Sequence, residues 1–271
     1  MTSFCGVDYK RCTLQLSGGV HCTREGREYT GLSVSFSILN ALFDFGATHP
    51  PSDRDAVQQP PALPPSGAPA DAGAAATCGA PPEPLNASAP NVLLIGDSIS
   101  MGFGYPNSAK PRCACGAGDC CAPDFRLGYG LYVKEMLANA TAGWQLAKVQ
   151  HNGGWFLDGQ AGDTKLGLSC IDHWLGISAS QPHGLQFDLV HVNFGLHDLN
   201  NNGKEVPVAD YEKNLASIFA TLKTKLPKAK LIFSTTTPVP LGDGGGSRTE
   251  AHVQEYNAAA LKALAPDIAR G

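Results

Sequence analysis

Three short stretches hold the residue types that acyl chemistry needs. "GDSIS" (96–100) offers Ser98 directly behind the apolar run "NVLLI"; "HNGG" (151–154) leads on to "AGDT" (161–164); "GLHDL" (195–199) sets His197 and Asp198 behind a glycine. A serine hydroxyl is a weak nucleophile at neutral pH unless a base takes its proton, and acyl transfer also needs donors aimed at the oxyanion that develops. Ser98 at a strand-to-helix turn suits attack. Gly96 permits a tight turn there, and the Ser98 N–H could face an oxyanion near the helix start. Taken alone, Gly-Asp-Ser more often only turns the chain and caps a helix, so its surroundings decide.

Those surroundings alternate. "NVLLI" has the continuous apolar character of a central parallel strand, "YGLYVKEMLANA" reads as a helix, "WQLAKVQ" as a second strand, and "GLSCIDHWLG" as a helix ending at Gly176. "FDLVHVNF" is the third strand. Tyr211, Leu215, Ile218, Leu222 and Leu226 follow helical spacing, "AKLIFSTTT" is the fourth strand, and Val253, Tyr256, Leu261 and Leu264 mark a last helix. Four strand–helix alternations predict an α/β fold with a doubly wound parallel sheet, in which functional groups sit at the carboxyl ends of the strands. All three polar, glycine-bearing stretches fall at such ends, so one composite site is expected.

In order and content these blocks resemble the SGNH (GDSL-type) hydrolase superfamily, a flavodoxin-like α/β/α fold, over roughly residues 91–271. "VLLIGDSIS" resembles its first block, with Ser98 as nucleophile and Asp97 beside it. "GDTKLGLSCIDHWLG" resembles the second, where a glycine N–H serves the oxyanion hole; Gly162 matches best and Gly154 is the alternative. "VHVNFGLHDL" resembles the third, Gly-x-Asn-Asp, with Gly195 and Asp198 in place. "NFGLHDL", "STTTPVP" and "YNAAALKAL" together resemble a GLHDL-bearing subgroup of bacterial and algal members.

Two departures stand out. His197 replaces the family's asparagine, an oxyanion donor, and a neutral imidazole with one N–H is able to fill that role. The family's Asp-x-x-His block, source of the catalytic base, has no counterpart after Ser98; His252, in a helix, is a poor substitute. The expectation is therefore a domain incomplete at its C-terminus, lacking the last strand and helix and inactive as this chain, because triad members act as a unit. The implied activity is hydrolysis of a carboxylic ester, acyl or acetyl, of a small molecule or carbohydrate, through an acyl-enzyme on Ser98. Two alternatives remain: a non-catalytic SGNH-fold binder of a glycan or acyl ligand, and a flavodoxin-like nucleotide protein. The latter is disfavoured because the first loop has no phosphate-binding glycine pattern and carries Asp97.

Composition limits the rest. With a net charge of −4 and a pI near 6.0, the chain has no general electrostatic reason to bind nucleic acid. Residues 49–90 hold eleven of the twenty prolines and read as a linker, which leaves 1–48 as a cysteine-containing N-terminal segment and 91–271 as the folded domain. Nine cysteines and the sequons at Asn86 and Asn139 lean towards the secretory pathway, although the N-terminus is no recognisable signal peptide. The apolar run from Leu32 to Ala47 leaves a signal or anchor segment open, but Asp44 interrupts it and membrane anchoring is not expected. "CACGAGDCC" (Cys113, Cys115, Cys120, Cys121) lacks a common zinc spacing, so disulfides are favoured over a metal, and no cofactor is expected. Cys170, on the apolar face of a helix, reads as a buried free thiol, Trp174 as core, and Trp155 and Phe156 as even candidates for lining a cleft. "GDGGGSR" (242–248) reads as a flexible loop at the site's rim.

Overall fold

The computed structural model describes residues 90–97, 99–100, 162–199, 205–239 and 247–268 as continuous stretches. It also describes the backbone of 148–152 and single positions at 30, 34, 35, 37, 38, 41, 78, 85, 129, 130, 133 and 137. Ser98, Gly154, Trp155, Phe156, the cysteine cluster at 113–121, both sequons and most of the glycine-rich loop lie outside them.

Four strands, β1 (Asn91–Ile95), β2 (Lys148–Asn152), β3 (Leu189–Asn193) and β4 (Lys230–Ser234), form one sheet in the order β2-β1-β3-β4. Every pairing is parallel, with Leu94 opposite His151 on one side and His191 on the other. The α/β doubly wound arrangement expected from the alternation is thus present. β1 and β3 are buried at every position, which explains why their apolar runs do not alternate. The chain leaves β1 for β2 on one side and returns to β3 on the other, so the connections diverge beyond the carboxyl ends of β1 and β3. That crevice is where a doubly wound sheet places its ligands.

Three helices have both ends among the described residues: α1 (Thr164–Trp174), α2 (Val208–Lys225) and α3 (Glu250–Ile268). Right-handed crossovers in this strand order put α1 and α2 on one face of the sheet, and α2 packs against both α1 and α3. The inward stripe of α2 is Tyr211, Leu215, Ile218, Phe219 and Leu222, four of them expected from spacing. On α3, Val253, Tyr256 and Leu264 are buried as expected, but Leu261 is half exposed and Ala260 takes the inward place. Leu168 on α1 also points outward, whereas Trp174 is fully buried, as its spacing suggested.

Cys170 requires a correction. It is not a free thiol: it is disulfide-bonded to Cys78, 92 residues upstream, and the Trp174 indole N–H donates to the Cys78 carbonyl at 2.9 Å. Helical spacing shows that Cys170 is buried but cannot show which distant cysteine meets it. Val34, Ile38 and Cys78 belong to the same buried cluster as the sheet, and Leu85 packs against it, so the core reaches upstream of Asn91. No helix among the described residues is long and apolar enough to cross a membrane.

Candidate active site

The turn after β1 is fixed on both flanks of position 98. Asp97, almost fully buried, accepts the Ile99 N–H on Oδ1 at 2.8 Å, while its carbonyl accepts both the N–H and the hydroxyl of Ser100 at 3.1 Å. Gly96 is required by crowding, since a Cβ there would collide with Ser100 Oγ and stand 3.3 Å from the Asn193 carbonyl. A short polar residue that satisfies its own turn is the usual reason for aspartate here.

Gly162 enters from the second stretch with φ at +103°. A Cβ at this position would lie 2.8 Å from Asp97 Cβ and 3.2 Å from His197 Cδ2. Only a glycine backbone comes this close. Asp97, Gly162 and His197 thus meet at the carboxyl ends of β1 and β3, as one composite site requires.

The residue after Gly162 starts α1. Asp163, in extended backbone at φ −82°, is its N-cap and accepts the Leu166 N–H at 2.7 Å. Burial raises the Asp163 carboxyl pKa, against the pull of the Leu166 N–H and of the charges on Lys165 and His197. Thr164 then binds across to the third stretch: its N–H and hydroxyl both donate to Asp198 Oδ1, at 2.9 and 2.5 Å.

"GLHDL" folds as a tight turn. Gly195, at φ +136°, abuts Thr236, and its carbonyl accepts the N–H groups of Asp198 and Leu199 at 3.0 and 2.9 Å. His197 is half-buried, and its Nδ1 is buried without a hydrogen-bond partner among the described residues. Asp198 is fully buried. Burial pushes its carboxyl up to about 7; the two Thr164 bonds oppose this, and the charges of Asp163 and Asp97 add to it. Arg248 donates from Nε to the Leu196 carbonyl at 2.7 Å, and its pKa is lowered by burial and held up by Asp97.

The residues so assembled are the Asp97 turn, a glycine in left-handed backbone packed against it, and an imidazole beside that glycine. A profile of the GDSL-like Lipase/Acylhydrolase family matches residues 94–268, well over half of the chain. The chain belongs to that family. This hydrolase domain also resembles solved structures at low identity. A Streptococcus pneumonia protein named for platelet activating factor is 19% identical over 66% of this chain and 62% of its own, with a TM-score of 0.41. The acetylxylan esterase Axe2 of Geobacillus stearothermophilus is 16% identical over 66% and 73%, at 0.41. A family two carbohydrate esterase of Cellvibrio japonicus is 17% identical over 65% and 49%, at 0.38. The chain thus spans less than two thirds of the first and third of these proteins. No curated protein matches it.

Of the residues expected from sequence, the structure brings together Asp97, Gly162, Gly195, His197 and Asp198; Ser98 and Gly154 lie outside the described residues. Sequence reasoning missed Asp163, Thr164 and Arg248. The "GDT" opening of α1 carried a signal for the first two, an aspartate followed by a helix, whereas Arg248 comes from a loop with no periodicity to place it.

Proposed function

We propose that this domain is a serine esterase in which Ser98 attacks an ester carbonyl, stabilised by its own N–H, the Gly162 N–H and the His197 side chain. The observation that supports it best is the packing of Gly162 against Asp97 and His197, beside the turn that leads into position 98. Ser98 Oγ bonds to the acyl carbon as its proton passes to a base; the alcohol leaves after taking a proton, and water then cleaves the acyl-enzyme to free acid and serine. The donors act where negative charge grows on the carbonyl oxygen, so they speed the chemical step more than they tighten substrate binding.

Small acyl and acetyl esters, carbohydrate esters among them, are the substrates to assay. The one Asp-x-x-His in the sequence, Asp188 to His191, runs into β3 rather than following β4, where the resembling family carries its base. A fluorophosphonate probe is expected to label the protein and to lose its target in Ser98→Ala. Labelling that survives Ser98→Ala would remove Ser98 from the mechanism.

A further inference from the structure

Thr164 lies two residues after Gly162, and Asp198 lies one after His197. Both are fully buried, and both Thr164 donors end on one oxygen of Asp198. Helix capping does not explain this, because Asp163 already caps α1 from its own side chain. Asp198 instead takes the first N–H of the helix from a loop 34 residues away. Asn214 of α2 completes the set by donating to Thr164 Oγ1 at 3.1 Å, so that hydroxyl both gives and receives. Asp198 is fixed in its turn: its N–H donates to the Gly195 carbonyl, and its carbonyl accepts the Val206 N–H.

We propose that the Thr164–Asp198 pair is a positioning device that holds the Gly162 backbone donor in register with the His197 side chain. The inference rests on the esterase reading above. Neither residue touches substrate. Each sits one or two residues along the chain from a donor, and a donor displaced by about 1 Å costs rate far more than binding.

The pair also governs charge. Asp198 Oδ2 is buried with no hydrogen-bond partner among the described residues, which suits a neutral acid better than a carboxylate. Among the described residues, the groups that act on it are acids and phenols: Asp97 follows β1, Asp163 precedes α1, Tyr211 is on α2 and Tyr256 on α3, while Arg248 acts on Asp97, and Lys165 and His197 on Asp163. Below neutral pH Asp198 holds its proton, and above it a negative charge appears one residue from the imidazole that must stabilise an oxyanion.

The test is steady-state hydrolysis of p-nitrophenyl acetate by the full-length protein. Thr164→Val removes the hydroxyl at near-constant shape; kcat is expected to fall about 10-fold or more with KM within about 3-fold, and Thr164→Ser is expected to recover most of the loss. Asp198→Asn keeps the acceptor oxygen but cannot ionise, so the loss of kcat above pH 7 is expected to weaken. Unchanged kcat in Thr164→Val, a matching rise in KM, or no rescue by serine overturns the proposal. If Thr164→Val does not fold, an Asp198→Asn profile with the wild-type alkaline limb overturns it alone. Ser98→Ala separates the two failures: activity that persists there defeats the esterase reading, whereas an inactive Ser98→Ala beside a normal Thr164→Val defeats only the positioning role.

Discussion

Gly162 lies against Asp97 so closely that a methyl group on it would come within 2.8 Å of the aspartate Cβ. Its backbone, at φ +103°, is also one that side chains rarely adopt. Gly162→Ala therefore suffers strain and collision together, against the turn that follows β1. The expected result is a loss of about 1–3 kcal/mol in denaturant unfolding and a larger loss in ester hydrolysis. Wild-type hydrolysis in Gly162→Ala would show that the oxyanion is held elsewhere.

His197 occupies the place where the resembling family carries asparagine, and its ring faces Gly162. If the ring donates to the oxyanion, His197→Ala lowers kcat by about 10²- to 10³-fold, the usual cost of one lost donor, with little change in KM. His197→Asn restores an N–H at similar reach and is expected to retain most activity. Steady-state kinetics of the two variants decide the matter; equal losses in both would give His197 a role other than donor.

The sheet and its site were legible to different depths. β1 and β3 announce themselves because both faces are covered and every residue from Asn91 to Ile95 and Leu189 to Asn193 is buried. Gly162 and His197 could be named because each lies at a strand or helix end in an ordered set of blocks. Leu261 misled because α3 carries alanines, and Ala260 packs inward as well as a larger residue would. The Cys78–Cys170 bond and the Arg248–Leu196 contact join distant segments with no periodic pattern to pair them, so only the assembled chain reveals them.

His191 makes stability depend on pH. It sits in the middle of β3, fully buried, with Nε2 2.7 Å from Ser234 Oγ and Nδ1 unpartnered. Burial lowers its pKa from 6.5 to about 4. Between those values the unfolded chain binds a proton that the folded chain refuses, so stability falls as pH drops from 6.5 towards 4, by about 3 kcal/mol over the whole window. Asp198 works the other way: its raised pKa favours the folded state at low pH and loses that advantage as pH rises through about 7. His191→Gln is expected to flatten the acid limb of unfolding free energy against pH. An acid limb of wild-type steepness in that variant would assign the effect to other groups.

The disulfide supplies the last test. Cys78 and Cys170 close a separation of 92 residues, and the Trp174–Cys78 hydrogen bond adds a second tie between Cys78 and α1. Cross-linking a loop of this length restricts the unfolded chain, and losing a native disulfide typically costs about 2–5 kcal/mol. Reduction under native conditions, or Cys78→Ser with Cys170→Ser, is therefore expected to lower Tm by several degrees. Because α1 begins at Thr164, whose bonds to Asp198 lie at the opposite end of the helix from Cys170, activity below the lowered Tm should change less than stability. A double serine variant with unchanged Tm would show that the segment around Cys78 contributes no net stability to the domain.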